Sequence, residues 1–504
     1  MNFVIINKIA RTYFSINEKK VEYMMNNPID CQRVCLENLL KKAAKTVWGT
    51  QYDYASIKNL ETFKSRVPVS DYQSLYPFIE RMISGEKNVL WQGVTDWFSK
   101  SSGTSGSKSK FIPVSSESLS DNNYKSGRDS FTLYFNNRPD SKLFTGKYFS
   151  LTGTLHRFET NTQARCGDVS AILTNFTPFW ANYFKTPTKN IALMKNWDEK
   201  IDAFAQCMKN QRVTGMAGVL SWILIILKRI LELEQADTFE KIWSDLELFM
   251  HGGVNFTPYV EQYKALIPSD KMYYQEIYNA SEGYFAAQDK SDSKEMLLFL
   301  NNGIFYEFIP FHEFGNENPR TLSIEEVKLN EKYVMLISTN AGLWRYVVGD
   351  VVQFTSVRPY RIVIIGRTTH YINAFGEELM VDNAEKAIKA ACTQTSAEVE
   401  EYTVAPVYFQ SNTKAAHQWL IEFKQKPNNF DKFIEILDTS LKQLNSDYEA
   451  KRFQDILLQK PVVEEVASGT FIKWMASQGK LGGQFKVPRL SNNRNIVESI
   501  TKMG

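Results

Sequence analysis

Cysteine is scarce in this 504-residue chain: Cys31, Cys35, Cys166, Cys207 and Cys392 make an odd, scattered set. That count excludes a disulfide framework and points to reducing surroundings. No Cys-x-x-Cys pair occurs, and His156, His251, His312, His370 and His417 show no ligand spacing, which excludes a structural zinc site. Cys31 and Cys35 are four apart, the spacing of two packing side chains on one helix face. Excess charge of one sign is also lacking: 59 Lys+Arg against 56 Asp+Glu leave a net +3, which makes no case for nucleic acid as a partner. With 16 Pro and 25 Gly, a collagen-like or low-complexity chain is excluded.

Long hydrophobic runs are missing too. The most membrane-like stretch, Val213 to Leu227, is followed at once by Lys228 and Arg229. It falls short of the roughly 18–20 residues needed to span a bilayer, so it is expected to be a buried helix. The opening MNFVIINKIARTYF has no small-residue cleavage site behind it and reads as mature chain. A cytoplasmic protein with no membrane partner is the expectation.

What is present is an ordinary globular mix, 43% hydrophobic and 23% charged. The first 80 residues read as helices broken at Asn26-Asn27-Pro28. Between Phe111 and Met250, short β-prone runs alternate with helical stretches, which predicts layered α/β architecture. A β-rich portion follows over about 296–366, with paired strands turning near Arg358-Pro359. From about Thr368 a new α/β module begins. These features predict a large domain over 1–368 and a smaller one over 369–504.

Five segments carry chemistry. Ser101-Ser102-Gly103-Thr104-Ser105-Gly106-Ser107-Lys108-Ser109-Lys110 holds six hydroxylic residues, two glycines and two lysines. Such a loop can turn N–H and hydroxyl donors onto an anion such as phosphate, although the same composition describes a mobile Ser/Gly loop. It is not a Walker A loop, since Lys108 stands where the second glycine belongs. Nor is it a dinucleotide loop, since Ser105 and Lys108 occupy glycine positions. In Tyr278-Asn279-Ala280-Ser281-Glu282-Gly283, a carboxylate among small residues suits Mg²⁺, and an aromatic ring can cover a base. Asp350, after Trp344-Arg345-Tyr346-Val347-Val348-Gly349, can accept two ribose hydroxyls. Ile365-Gly366-Arg367-Thr368-Thr369-His370 leaves a strand, and Gly482-Gly483-Gln484-Phe485-Lys486 is a glycine-flexed loop bearing a lysine. Taken singly, each of these four also reads as an ordinary strand end, turn or surface loop.

In this order the segments resemble the adenylate-forming superfamily of acyl- and aryl-CoA synthetases and luciferases. With HGGVNFTPY and FYEFIP added, they are most similar to its auxin-responsive Gretchen Hagen branch, the acyl acid amido synthetases. The match runs from about Trp97 to Arg489. The resemblance implies ATP-dependent conversion of a small carboxylic acid to an acyl-adenylate, then transfer to an amine, usually of an amino acid. It implies that Ser101, Ser102, Gly103, Thr104, Ser105, Gly106 and Lys110 lie over the phosphates, and Gly252 and Gly253 along the adenine. Tyr278 would stack on the base, and Ser281 and Glu282 would face the α-phosphate. Glu282 would hold Mg²⁺, Asp350 and Arg367 would take the ribose, and Lys486, on a mobile C-terminal domain, would contact the reacting carboxylate. A monomer or weak dimer is expected, and the abundance of Lys, Asn, Ile and Phe suggests a bacterial member.

There are departures. The plant branch reads Tyr-Ala-Ser-Ser-Glu-Cys where this chain has Tyr-Asn-Ala-Ser-Glu-Gly, and the hinge position holds uncharged Thr369. An acyl- or aryl-CoA ligase and a non-catalytic nucleotide-binding protein remain as alternatives. The acyl pocket is expected between Phe149 and Trp180, with Arg157 or Arg165 as candidates to face the acid.

Overall fold

A computed structural model describes residues 3–102, 109–161, 163–253, 256, 259–291, 293–368, 371–408, 415–455, 457–478 and 487–503. The helices expected at the start are there: Phe3–Asn26 stops at Asn27, and Pro28–Ala43 begins with proline in its first turn, where the missing N–H costs nothing. Cys31 and Cys35 are buried on that second helix. Gln32 beside them bonds the carbonyls of Leu300 and Ile304 and the N–H of Tyr306, clamping helix to sheet.

Among the described residues, eleven strands form one sheet. Its order is Ile304–Pro310, Lys332–Thr339, Tyr346–Val357, Tyr360–Arg367, Met296–Leu298, Gly283–Ala287, Tyr273–Ala280, Leu248–His251, Val213–Gly218, Lys147–Ser150 and Lys185–Thr186. The first seven pair antiparallel, and from Tyr273–Ala280 onward the pairing is parallel. The β-rich portion therefore continues the sheet of the α/β part. A separate four-stranded sheet holds Ser109–Val114, Trp97–Ser102, Arg165–Gly167 and Leu155–Arg157.

The stretch Val213–Leu227 departs from the single buried helix expected. Val213–Gly218 is a central parallel strand, and the helix Leu220–Glu234 starts after it. Both faces of that strand and most of that helix are covered, so one unbroken apolar run encodes two elements. No helix among the described residues is long and apolar enough to cross a membrane.

In the last part of the chain Ala416–Gln425 pairs with Glu398–Val407 on one side and Val462–Val466 on the other, backed by helices Val381–Thr395 and Phe430–Leu444. Its core is continuous with that of the parallel half: Phe375, Leu379, Trp419 and Tyr448 share one apolar cluster with Ile223, Leu227 and Phe249. Tyr259 fastens the junction by donating to the carbonyl of Ala374 at 2.8 Å.

Candidate active site

Trp97–Ser102 and Ser109–Val114 form an antiparallel hairpin in which Ser101 faces Lys110 and Ser102 faces Ser109. Gly103, Thr104, Ser105 and Gly106 lie outside the described residues. Lys110 is partly buried, its ammonium 5.8 Å over the ring of Tyr72. Burial lowers its pKa and Glu282 opposes that.

Ser281 and Glu282 occupy the turn joining Tyr273–Ala280 to Gly283–Ala287. Ser281 Oγ lies 3.4 Å from the carbonyl of Lys100, which ties this turn to the hairpin. Burial raises the Glu282 carboxyl, against the pull of Lys110 and Arg367. Asp350 and Arg367 face each other on the neighbouring strands Tyr346–Val357 and Tyr360–Arg367. Arg367 Nε donates to Asp350 Oδ1 at 2.6 Å, and the Tyr278 hydroxyl donates to Oδ2 at 2.5 Å. Burial works against the Arg367 charge, but Asp350 and Glu378 outweigh it and hold the guanidinium pKa above its usual value. Gly349, at φ +92°, supplies the left-handed residue just before Asp350.

The structure thus gathers Ser101, Lys110, Ser281, Glu282, Tyr278, Asp350 and Arg367 into one charged neighbourhood. The Tyr278 ring is buried and edge-packed on Phe285, with centroids 4.8 Å apart, and its hydroxyl is committed to Asp350. Lys486 and Thr369 lie outside the described residues.

Gly252 and Gly253 follow the strand Leu248–His251. A Cβ on Gly252 would fall 2.3 Å from the carbonyl oxygen of Ile277, so only glycine lets the chain pass that close. His251 is buried, and burial pushes its imidazole down to about 3, which leaves it neutral and a poor base. Arg345 is structural, pairing with Glu307 at 2.9 Å and bonding the carbonyls of Lys64 and Val67.

Beside this neighbourhood opens a cavity of about 440 Å³, between the parallel half of the sheet and the last part of the chain. Ser101, Gly252, Gly253 and Ser281 line it, as do residues 151–154, 156 and 167–170 from the stretch expected to hold the acyl pocket. Arg157 and Arg165 do not line it; the Arg165 guanidinium lies 5.2 Å over the ring of Trp97. The sequence reading missed Lys100, Asp447 and Lys451, all on the cavity wall. Asp447 and Lys451 carry one local signal, the four-residue spacing of a helical pair, but nothing local shows that they face residues two hundred positions earlier.

The donor set suits a nucleotide triphosphate with its metal. Among the described residues no group of three or more His, Cys, Asp and Glu could hold a metal ion. Glu282 stands at the turn as a single carboxylate, which is compatible with a cation commonly bound through one or two protein carboxylates together with substrate phosphates.

The chain matches the GH3 family N-terminal domain over residues 17–272, the central domain over 297–367 and the C-terminal domain over 382–495. It is 23% identical to indole-3-acetic acid-amido synthetase GH3.3 of Arabidopsis thaliana, over 95% of this chain and 92% of that one. It is 22% identical to the 4-substituted benzoates-glutamate ligase GH3.12 of the same plant, over 94% and 96%. It shares its fold with the acyl acid amido synthetase AtGH3.15 in complex with 2,4-DB, at TM-score 0.63 and 16% identity, covering 98% and 96%. It also shares it with a 2-hydroxyisobutyryl-CoA ligase in its thioesterification state, at TM-score 0.54 and 13% identity, covering 94% and 91%. The chain is a member of the GH3 family, built on the fold of adenylate-forming enzymes.

Proposed function

We propose that this protein is an ATP- and Mg²⁺-dependent ligase that activates a carboxylic acid as its acyl-adenylate and joins it to the amine of an amino acid. The observation that carries this reading is the convergence of Ser101 and Lys110, Ser281 and Glu282, and the Asp350–Arg367 pair beside one cavity. In the first half-reaction a carboxylate oxygen attacks the α-phosphorus, and the bond to the β-phosphate breaks to release pyrophosphate. Anion approaches anion, so the barrier is chiefly electrostatic. Lys110 neutralises charge on the phosphates and the Ser101 hydroxyl orients them. Asp350 takes the ribose hydroxyls once Arg367 and Tyr278 share its oxygens. A Mg²⁺ ion held by Glu282 would supply Lewis-acid charge stabilisation there.

Lys486 belongs to the C-terminal domain, which we place at 369–504 and which rotates between the half-reactions. In the second half-reaction the amine nitrogen attacks the acyl carbon, the bond to the phosphate oxygen breaks, and AMP and a proton leave. That step is mainly positioning, and no serine or cysteine nucleophile is needed. The acid and the amino acid are small-molecule substrates, and the protein works in the cytoplasm as a monomer or weak dimer.

Incubation with an acid panel, ATP and Mg²⁺, then with either amino acids or CoA, tests the reading. Amide with release of AMP and pyrophosphate is expected, and acyl-CoA without amide would refute it. Lys486→Ala should abolish acid-dependent ATP–pyrophosphate exchange while ATP still binds.

A further inference from the structure

Residues 151–154, Leu-Thr-Gly-Thr, belong to neither strand nor helix, yet they form part of the cavity wall. They join Lys147–Ser150 of the eleven-stranded sheet to Leu155–Arg157 of the four-stranded sheet, which also carries the hairpin of Ser101 and Lys110. The N–H of Leu151 still bonds the carbonyl of Ala217 at 3.3 Å. Beyond it, side chains hold the segment. The Thr152 hydroxyl donates to the carbonyl of Ala192 at 2.6 Å, and the N–H of Gly153 donates to Ser170 Oγ at 3.3 Å.

The strongest of these holds comes from behind the wall. Lys200, on the helix Trp197–Met208, is 0% exposed and does not line the cavity. Its ammonium donates to the carbonyls of Thr152 at 2.5 Å and Gly153 at 3.1 Å. The N–H of Thr154, the other end of the Gly153–Thr154 peptide unit, donates to Asp168 Oδ2 at 3.1 Å. One peptide unit is thus gripped at its carbonyl by a cation and at its N–H by a carboxylate, both aligned with its own dipole. Gly153 permits the grip, since a Cβ there would fall 1.5 Å from Asp168 Oδ2. Burial pulls the Lys200 pKa down to about 8, against the opposing charge of Asp168. A methionine would fill the same space without that desolvation cost. What the ammonium contributes is the fixed position of two carbonyls.

The phosphate hairpin does not depend on this grip. It is tied to the rest of the site by Ser281 Oγ at the carbonyl of Lys100, by Ser115 Oγ donating to the carbonyl of Asn340 at 2.6 Å, and by the N–H of Phe111 donating to the Tyr72 hydroxyl at 2.9 Å. Loosening residues 151–154 would therefore move the wall beside the phosphates and leave the phosphate site in place.

We propose that Lys200 is a positioning residue for the carboxylic acid: with Asp168 it grips the Gly153–Thr154 peptide and so fixes the wall against which the carbon skeleton of the acid is fitted. This rests on the adenylation reading above and adds which buried group makes that wall rigid enough to discriminate between acids.

The test is acid-dependent ATP–pyrophosphate exchange in wild type and Lys200→Met, with the best acid of a panel and its homologue one methylene longer. The ratio of their kcat/KM values is internal to each preparation, so a smaller folded fraction leaves it alone. One methylene against a fixed wall is worth about ten- to two-hundredfold. Lys200→Met should shrink that ratio to about threefold or less and raise the KM of the better acid about tenfold, with the KM for ATP unchanged. An unmoved ratio, or a fall in kcat alone, overturns the proposal. Should Lys200→Met not fold, the same ratio is read in wild type as pH rises. The ammonium loses its charge as pH passes about 8, its bonds to the two carbonyls weaken, and the ratio should narrow. Titration of groups at the phosphates cancels, because both acids meet the same ATP. A ratio that stays flat from about pH 7 to about 9.5 overturns the grip. Absence of exchange in wild type with every acid would overturn the adenylation reading itself, whereas normal exchange with an unmoved ratio overturns the role of Lys200 alone.

Discussion

Replacing Asp350 by asparagine should weaken the fold and ATP binding together, because both of its oxygens are in use. Asp350 is 5% exposed, with Arg367 Nε at 2.6 Å and the Tyr278 hydroxyl at 2.5 Å. A hydrogen bond to a charged group contributes about 1.5–3 kcal/mol. Asparagine keeps the shape but offers one acceptor oxygen, so one bond fails and the other loses its charge. The Arg367 side chain is 22% exposed and has Glu378 at 4.0 Å. The penalty should therefore stay below the ~3–5 kcal/mol of breaking a fully buried pair. We expect a cost of about 3 kcal/mol for Asp350→Asn and about 1.5–2 for Tyr278→Phe. The two share one carboxylate, so the double variant should cost less than their sum by about 1 kcal/mol. Urea unfolding followed by tryptophan fluorescence measures all four proteins. Strict additivity would refute the contact, and unchanged ATP affinity in Asp350→Asn would refute its role at the ribose.

Glu282 should couple metal binding to protons. Burial raises its carboxyl above the ordinary 4.5, so in mildly acidic solution the free site holds a proton that an arriving cation expels. Calorimetry of Mg-ATP binding in two buffers of different ionisation enthalpy should show proton release between 4.5 and the raised value, and Glu282→Gln should abolish it; identical heats from both proteins would contradict the assignment. Gly252→Ala should cost about 1–3 kcal/mol and raise the KM for ATP, since its Cβ would meet the Ile277 carbonyl at 2.3 Å. A variant with wild-type stability and KM would show that the neighbouring strand yields freely.

How much of this was written in the sequence depends on the range of each interaction. The hairpin of Ser101 and Lys110, the Ser281–Glu282 turn and the Asp350–Arg367 pair come from residues close along the chain, so short motifs expose them. The strand Val213–Gly218 was hidden because a parallel strand covered on both faces and a buried helix are equally apolar, and the break at Gly218-Val219 leaves no polar mark. Arg345 stood inside a candidate motif, but its partner Glu307 lies 38 residues earlier, and the pairing makes it structural. Trp222 and Lys451 meet only because the last part of the chain docks on the helix Leu220–Glu234, which no local pattern predicts. Merging of the β-rich portion into one eleven-stranded sheet likewise depends on the pairing of Met296–Leu298 with Gly283–Ala287.

The central claim is that the acid is activated by bonding to the α-phosphorus of ATP, and oxygen-18 tests it most directly. With a carboxylate labelled at both oxygens, one labelled atom bridges carbon and phosphorus in the adenylate and stays with phosphorus when the amine displaces it. Mass spectrometry of the products should find one oxygen-18 in AMP and one in the amide. Unlabelled AMP, or label in inorganic phosphate with ADP as co-product, would contradict the account.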